Sequence, residues 1–111
     1  DPGRVVMFNH GFLAKENVLP ITLESTGGQS WPTDVLNSER DVIPGPAEPL
    51  QRWNGATYSL GYEHCDVVGQ NWFWTEGDAA RSSDTLYDLY RATVDVAGGN
   101  FLLNVGPNQE G

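Results

Sequence analysis

Gly98-Gly99-Asn100-Phe101-Leu102-Leu103-Asn104-Val105-Gly106-Pro107-Asn108-Gln109-Glu110-Gly111 closes the chain, and its reading decides the fold. At its centre, Phe101 to Val105 is a short, mostly apolar run without a charge. Two glycines and an asparagine precede the run, and a Gly-Pro turn with polar residues follows. A run of this length between glycines reads as a strand buried on both faces of a parallel sheet. Such strands carry functional residues at and just past their carboxyl ends, here Asn104, Asn108, Gln109 and Glu110. The plainer alternative is a core strand followed by a polar turn with no chemistry in it.

Working outward, the strongest helical pattern lies immediately before this run. Leu86, Leu89, Tyr90, Thr93, Val94 and Ala97 recur at helical spacing and predict one apolar face over residues 84–97. Ser83 or Asp84 is expected to cap its start, and Gly98 stands where a left-handed residue ends a helix. Helix, glycine pair and buried strand make the second half of a βαβ unit, so the fold class is α/β. At the other end, Arg4-Val5-Val6-Met7-Phe8 reads as another buried strand, ending in Asn9-His10-Gly11-Phe12.

Between these ends the pattern is uneven. Lys15 to Gln51 shows little periodicity and is broken repeatedly by glycine and proline; within it, Thr33 to Glu39 suits one helical turn capped by Thr33 or Asp34. A long irregular segment in a compact domain is often a functional one. Trp53-Asn54-Gly55 signals a turn, and Thr57 to Tyr62 is rich in strand formers. Glu63-His64-Cys65-Asp66 follows, then Gln70-Asn71-Trp72-Phe73-Trp74 in a loop closed by Glu76-Gly77-Asp78.

The chain has 111 residues, the size of one small domain, and its 39% hydrophobic content places it among globular sequences. Fifteen acidic residues against six basic ones give a net charge of −9. That balance argues against nucleic acid or an anionic membrane as partner, because either needs clustered Lys and Arg. No stretch has the ~20 apolar residues of a membrane-spanning helix. One cysteine, Cys65, excludes an internal disulfide and a cysteine-rich zinc site. Asp1-Pro2-Gly3 opens directly onto a strand-like run and Gly111 lies one turn after another, the pattern expected of an internal piece of a longer protein.

Candidate chemistry is concentrated in a few residues. His10 follows a buried strand, where barrel enzymes place polar contacts, although a turn histidine with no role fits equally well. No ligand-like spacing of His, Asp and Glu predicts a metal, and no phosphate loop or dinucleotide fingerprint predicts a cofactor. Trp72, Phe73 and Trp74 form an aromatic cluster among Glu63, Asp66, Gln70, Asn71 and Glu76. Aromatic rings accept the C–H faces of a sugar, and carboxylates and amides take its hydroxyls, though such rings also fill cores. Among the carboxylates, Glu39 and Glu63 stand out by position, with Arg40 and Asp41 beside Glu39 as neighbours able to tune its proton affinity. A glycosidase needs two carboxyl groups, one to protonate the leaving oxygen and one to attack or activate water.

Three segments carry a family resemblance. Asn100 to Gly111 resembles the "NLLLNVGP…DG" signature late in the catalytic domain of α-L-fucosidases of glycoside hydrolase family 29. Glu63-x-Cys65 followed by Asn71-Trp72-Phe73-Trp74 is similar to that family's "W-E-x-C…S-W-G-Y" segment, in the right order. The segment Trp31 to Arg40 also looks like part of bacterial members, so the resemblance runs from about Val5 to Gly111. Two positions depart from it: Tyr62 stands for the tryptophan before the glutamate, and Phe73 for the glycine of "W-G-Y".

What the resemblance implies is part of a (β/α)8 TIM-type barrel, its later strands only, and retaining hydrolysis of terminal α-L-fucosides through a covalent fucosyl-enzyme. The implied nucleophile is an aspartate on an earlier strand, and no residue here matches it. Glu39 corresponds to the loop that supplies the acid/base, with Glu63 the second candidate; Trp72 corresponds to the wall of the fucose pocket and His10 to a sugar contact. The implied partners are a fucosylated oligosaccharide or glycoconjugate and the remainder of the barrel, and the implied compartment is secreted or periplasmic. Two other classes stay open: a carbohydrate-binding module that uses Trp72 and Trp74 without chemistry, and an interaction domain with those rings in its core. Such modules are mostly antiparallel, which the helix-Gly-Gly-strand pattern disfavours.

Overall fold

A computed structural model describes residues 3–7, 33–40, 50–108 and 110. Its centre is a parallel sheet of three strands, β1 (Val35–Glu39), β4 (Gly61–Val67) and β5 (Asn100–Asn104), in the order β1-β4-β5. Met7 bridges Val35 in parallel on the far side of β1. Neighbours in the sheet therefore follow one another in chain order. Between β1 and β4 lies an antiparallel hairpin of β2 (Leu50–Trp53) and β3 (Ala56–Ser59). Its turn is Asn54-Gly55, both at positive φ (49° and 79°), the geometry a tight two-residue hairpin demands and the sequence signals.

The connection from β4 to β5 contains the aromatic loop and then α1 (Ser83–Arg91), which continues as a π-helical turn over Ala92–Val96. Ser82, one residue earlier than expected, caps α1 by accepting the Thr85 N–H on its hydroxyl. Gly98 ends the helical segment at φ 67°, as its position predicts. The expected apolar face is also present. Thr93 and Ala97 are buried, Leu86, Leu89 and Val94 are half-buried, and only Tyr90 on that face is exposed. Ala97 joins Leu36 and Tyr62 in the core cluster, against which Trp53, Tyr58 and Leu60 of the hairpin region also pack.

Strand alternation gives the sheet two chemically distinct faces. Register sets Asn37, Glu63 and Asn100 abreast, then Ser38, His64 and Phe101, then Glu39, Cys65 and Leu102. Leu36, Ser38, Tyr62, His64 and Asp66 thus share the face covered by the helical segment, and all five are buried. Asn37, Glu39, Glu63, Cys65, Leu102 and Asn104 share the other.

Four expectations are corrected. Residues 33–39 are not a helical turn: Val35–Glu39 is strand β1, and Thr33 instead donates its hydroxyl to the Val35 and Val6 carbonyls. Five residues are too few to show a helical or strand period when their neighbours do the pairing, and here β4 pairs with every one of them. The strand expected over 57–62 is interrupted at Leu60, so that Glu63 to Asp66 lie within β4 rather than after it. The last strand spans Asn100–Asn104 and is not buried on both faces: it stands at the edge of the described sheet, with Leu102 49% and Val105 65% exposed. The run near Met7 makes one bridge, and Val5, Val6 and Met7 are exposed among the described residues.

Candidate active site

The sheet face opposite α1 and its π-helical extension opens into a cavity of about 410 Å³. β1 contributes Asn37 and Glu39, β4 contributes Glu63 and Cys65, and β5 contributes Leu102 and Asn104. Trp72 and Phe73 wall it from the loop after β4, and Met7 adds an apolar side. Each strand residue is here because residues two apart on a strand point the same way; register sets Asn37 and Glu39 abreast of Glu63 and Cys65, with Leu102 beside Cys65 and Asn104 two residues further on.

The two glutamates differ in setting. Glu39 is the last residue of β1, followed by Arg40 in the left-handed region (φ 49°), where the Arg40 N–H still bonds the Cys65 carbonyl at 3.0 Å. A non-glycine residue at positive φ costs conformational energy and clusters at functional sites. Arg40 turns its guanidinium to the Gln70 carbonyl (2.9 Å) and over the Trp72 ring, 5.9 Å from its centroid. Glu63 lies mid-strand and accepts a 2.7 Å hydrogen bond on Oε2 from the Asn100 amide, which stands beside it in register. Between the glutamates sits Cys65. Burial raises its thiol pKa above the ordinary value, and the negative charges of Glu39, Glu63 and Asp66 raise it further. The thiol is therefore kept protonated, which suits a lining group and not a nucleophile.

The aromatic loop is held from several sides. Asp78 accepts the Gln70 N–H (2.9 and 3.1 Å) and the Asn71 N–H (3.0 Å) on its carboxylate, which lowers its pKa chiefly through the Gln70 bond. At Gly69 an added Cβ would fall 2.6 Å from that carboxylate, so a side chain there would have to displace Asp78 from its bonds to Gln70 and Asn71. From β5, Asn104 donates its amide to the Trp72 carbonyl at 2.7 Å. Gly106 lies so near the loop that a Cβ there would meet the Trp74 nitrogen at 2.6 Å. Asn104 at the end of β5 and Gly106 just beyond it thus support the loop that carries Trp72.

Behind the sheet, on the helix-covered face, a polar chain crosses the core. Tyr62 Oη lies 2.5 Å from Ser38 Oγ, which lies 2.7 Å from His64 Nδ1. His64 Nε2 stands 3.7 Å from Asp66 Oδ2, and Arg81 binds the same carboxylate through both terminal nitrogens (2.7 and 3.3 Å) and the Val67 carbonyl. Burial pushes the Asp66 carboxyl up, but His64, Arg81 and the Val67 N–H together hold it below the usual range. Although Ser, His and Asp stand in sequence here, Ser38 and His64 are each 0% exposed, so no substrate reaches them. The chain braces β4 from behind.

Glu39, Glu63 and Trp72 are thus brought together, as the sequence singled them out. Trp74 is not with them: it lines a smaller cavity together with Asn71, Thr75 and Asp78. His10 lies outside the described residues. Glu39 stands at a strand end rather than in a loop, and its neighbour Arg40 is committed to Gln70 and Trp72. Sequence reasoning missed Asn37, Cys65 and Asn100. Reading 33–39 as helix hid Asn37, since residues two apart on a helix diverge while on a strand they share a face. Among the described residues no group of three His, Cys, Asp or Glu side chains is placed to hold a metal ion. No protein-family model, curated protein or solved structure matches this chain.

Proposed function

We propose that this chain supplies the later strands of a (β/α)8 barrel that hydrolyses terminal α-L-fucosides with retention, as part of a longer enzyme. The observation that supports this best is that Glu39, Glu63 and Trp72 line one cavity on a parallel sheet whose strands follow in chain order. Such barrels use sequential parallel strands and gather their functional groups at the strands' carboxyl ends, where Glu39 ends β1 and Asn104 ends β5.

In this reading the sugar ring rests on the Trp72 indole, with its hydroxyls on Asn37 and Glu63. Asn100 holds the Glu63 carboxylate in place. An aspartate outside this chain attacks the anomeric carbon while Glu39 gives its proton to the departing oxygen. Water then hydrolyses the covalent fucosyl ester, and Glu39 takes up the water's proton as the aspartate leaves. The chain by itself is inactive, because the nucleophile is elsewhere.

The test joins the chain to the strands that precede it in its parent protein and follows fucose release by NMR. The expected first product is the α-anomer of fucose, with turnover lost in Glu39→Gln, while Glu63→Gln raises KM and still forms the α-anomer. Turnover by the 111-residue chain alone that disappears in Glu39→Gln would overturn the division of labour. Sugar binding without hydrolysis in the joined protein would favour the binding-module reading.

A further inference from the structure

We infer that Arg40 is a positioning residue: it ties the end of β1 to the loop after β4 and so fixes Trp72 in the cavity wall, in place relative to Glu39. This rests on the reading of that cavity as the fucoside site. Glu39 and Arg40 are consecutive, yet they serve different partners. Glu39 lines the cavity with Trp72, and Arg40 is not among the described residues that line it. The Arg40 N–H bonds the Cys65 carbonyl at 3.0 Å, which fastens its backbone to β4. Its guanidinium then reaches the Gln70 carbonyl (2.9 Å) and lies over the Trp72 ring, 5.9 Å from the centroid. Arg40 therefore acts on a bound sugar only through that ring.

Gln70, two positions before Trp72, is gripped at both backbone groups: Asp78 accepts its N–H and Arg40 donates to its carbonyl. Asn104 donates to the Trp72 carbonyl. Asp78 thus pins the loop from within, Asn104 pins it from β5, and Arg40 pins it from β1, the strand that ends in Glu39. The Gln70 N–H chiefly holds the Asp78 carboxyl below its usual range, and the charge of Arg40 adds to the effect. Backbone geometry is the second observation. Arg40 stands at φ 49°, a left-handed turn that glycine makes at no steric cost. An arginine there carries strain, and strain of this kind clusters where a side chain is in use. A guanidinium suits the use, because its planar fork can donate to a carbonyl and lie over an aromatic ring at once.

Fluorine NMR of the chain carrying fluorotryptophan tests this, with the Trp72 resonance assigned by its loss in Trp72→Phe. In both Arg40→Met and Arg40→Gly that resonance is expected to move by more than its linewidth. The resonance of Trp53, which packs against the core, should stay in place and report an intact fold. Because glycine relieves the backbone at φ 49°, a Trp72 resonance that moves in Arg40→Met alone, or in neither variant, overturns the role of the guanidinium. Kinetics follow in the chain joined to the strands that precede it in its parent protein. There Arg40→Met should raise KM for a fucoside about tenfold and leave kcat within about twofold, the pattern of lost binding shared by ground and transition states. The same substitution on top of Trp72→Ala should change KM by less than about twofold, since the ring through which Arg40 acts is gone. An undiminished rise in that background, or a fall in kcat alone, also overturns the role. A joined protein without fucoside turnover sinks the fucosidase reading, and the fluorine spectra then still decide whether Arg40 holds the ring.

Discussion

Replacing Arg81 by methionine should destabilise the chain far more than its partly exposed position suggests. The guanidinium makes two bonds to Asp66, whose side chain is 2% exposed, while Arg81 itself is 21% exposed. Methionine keeps the apolar stem and removes the charge, leaving the Asp66 carboxylate buried with only the Val67 N–H and the His64 ring beside it. Breaking a buried pair from one side costs about 3–5 kcal/mol, and the partial exposure of Arg81 puts the expectation at the lower end, about 3 kcal/mol. That is a large share of the roughly 5–15 kcal/mol by which a domain is stable. With a urea slope of about 2 kcal/mol per molar, the unfolding midpoint followed by tryptophan fluorescence should fall by roughly 1.5 M.

The same pair predicts a pH signature. The carboxyl pKa of folded Asp66 is lowered, so its contribution is present above the unfolded value near ~3.9 and is lost as pH falls through the folded value. The gap between parent and Arg81→Met should therefore be full at pH 7 and shrink as pH falls, first as the stranded carboxylate of the variant takes up a proton and until the parent's does too. Adding Asp66→Asn should recover part of the loss at pH 7, since the stranded charge is then gone. A loss under about 1 kcal/mol at pH 7, or a gap that stays constant to pH 3, would refute the reasoning.

Three further outcomes are expected. Cys65 should react with iodoacetamide at pH 8 more slowly than a free thiol, and faster in Glu39→Gln, because one of the charges that raise its pKa is removed; equal rates in parent and variant would show that the glutamate does not act on it. Gly106→Ala puts a Cβ 2.6 Å from the Trp74 nitrogen and 2.9 Å from the Phe73 carbonyl carbon, neither of which can swing aside. It should cost about 1–3 kcal/mol and change the near-ultraviolet circular dichroism of the aromatic loop, and an unchanged spectrum with unchanged stability counts against that contact. Ser82→Ala removes the hydroxyl that accepts the Thr85 N–H, and should lower the urea midpoint by an amount worth about 1 kcal/mol, with no loss meaning that the cap is idle.

Features set by local chemistry are the ones legible in the sequence. Gly98 ends the helical segment because a left-handed residue is nearly free only for glycine, and Asn54-Gly55 turns the hairpin because both positions need positive φ. The periodic face ending in Thr93 and Ala97 is likewise a property of consecutive residues. Val35–Glu39 reads wrongly as helix because its five residues, Val-Leu-Asn-Ser-Glu, carry no decisive preference, and the pairing partner that makes them a strand lies 26 residues on. The edge exposure of Leu102 and Val105 is equally hidden, since an apolar run looks the same in the middle of a sheet and at its border.

The site divides in the same way. The amino-acid sequence alone determined the supply of groups: two glutamates set apart by position, an aromatic triplet, and a Gly-Pro exit after the last strand. Only the tertiary structure decided which of them meet. Parallel register, a relation between strands distant in the chain, set Glu39 beside Cys65 and Glu63 beside Asn100. It also turned His64 and Asp66 to the buried face while Glu63 and Cys65 look into the cavity. The loop then parted Trp72 from Trp74, because its backbone bends at Trp72 and Phe73 instead of running extended, and Asp78 and Asn104 hold it there.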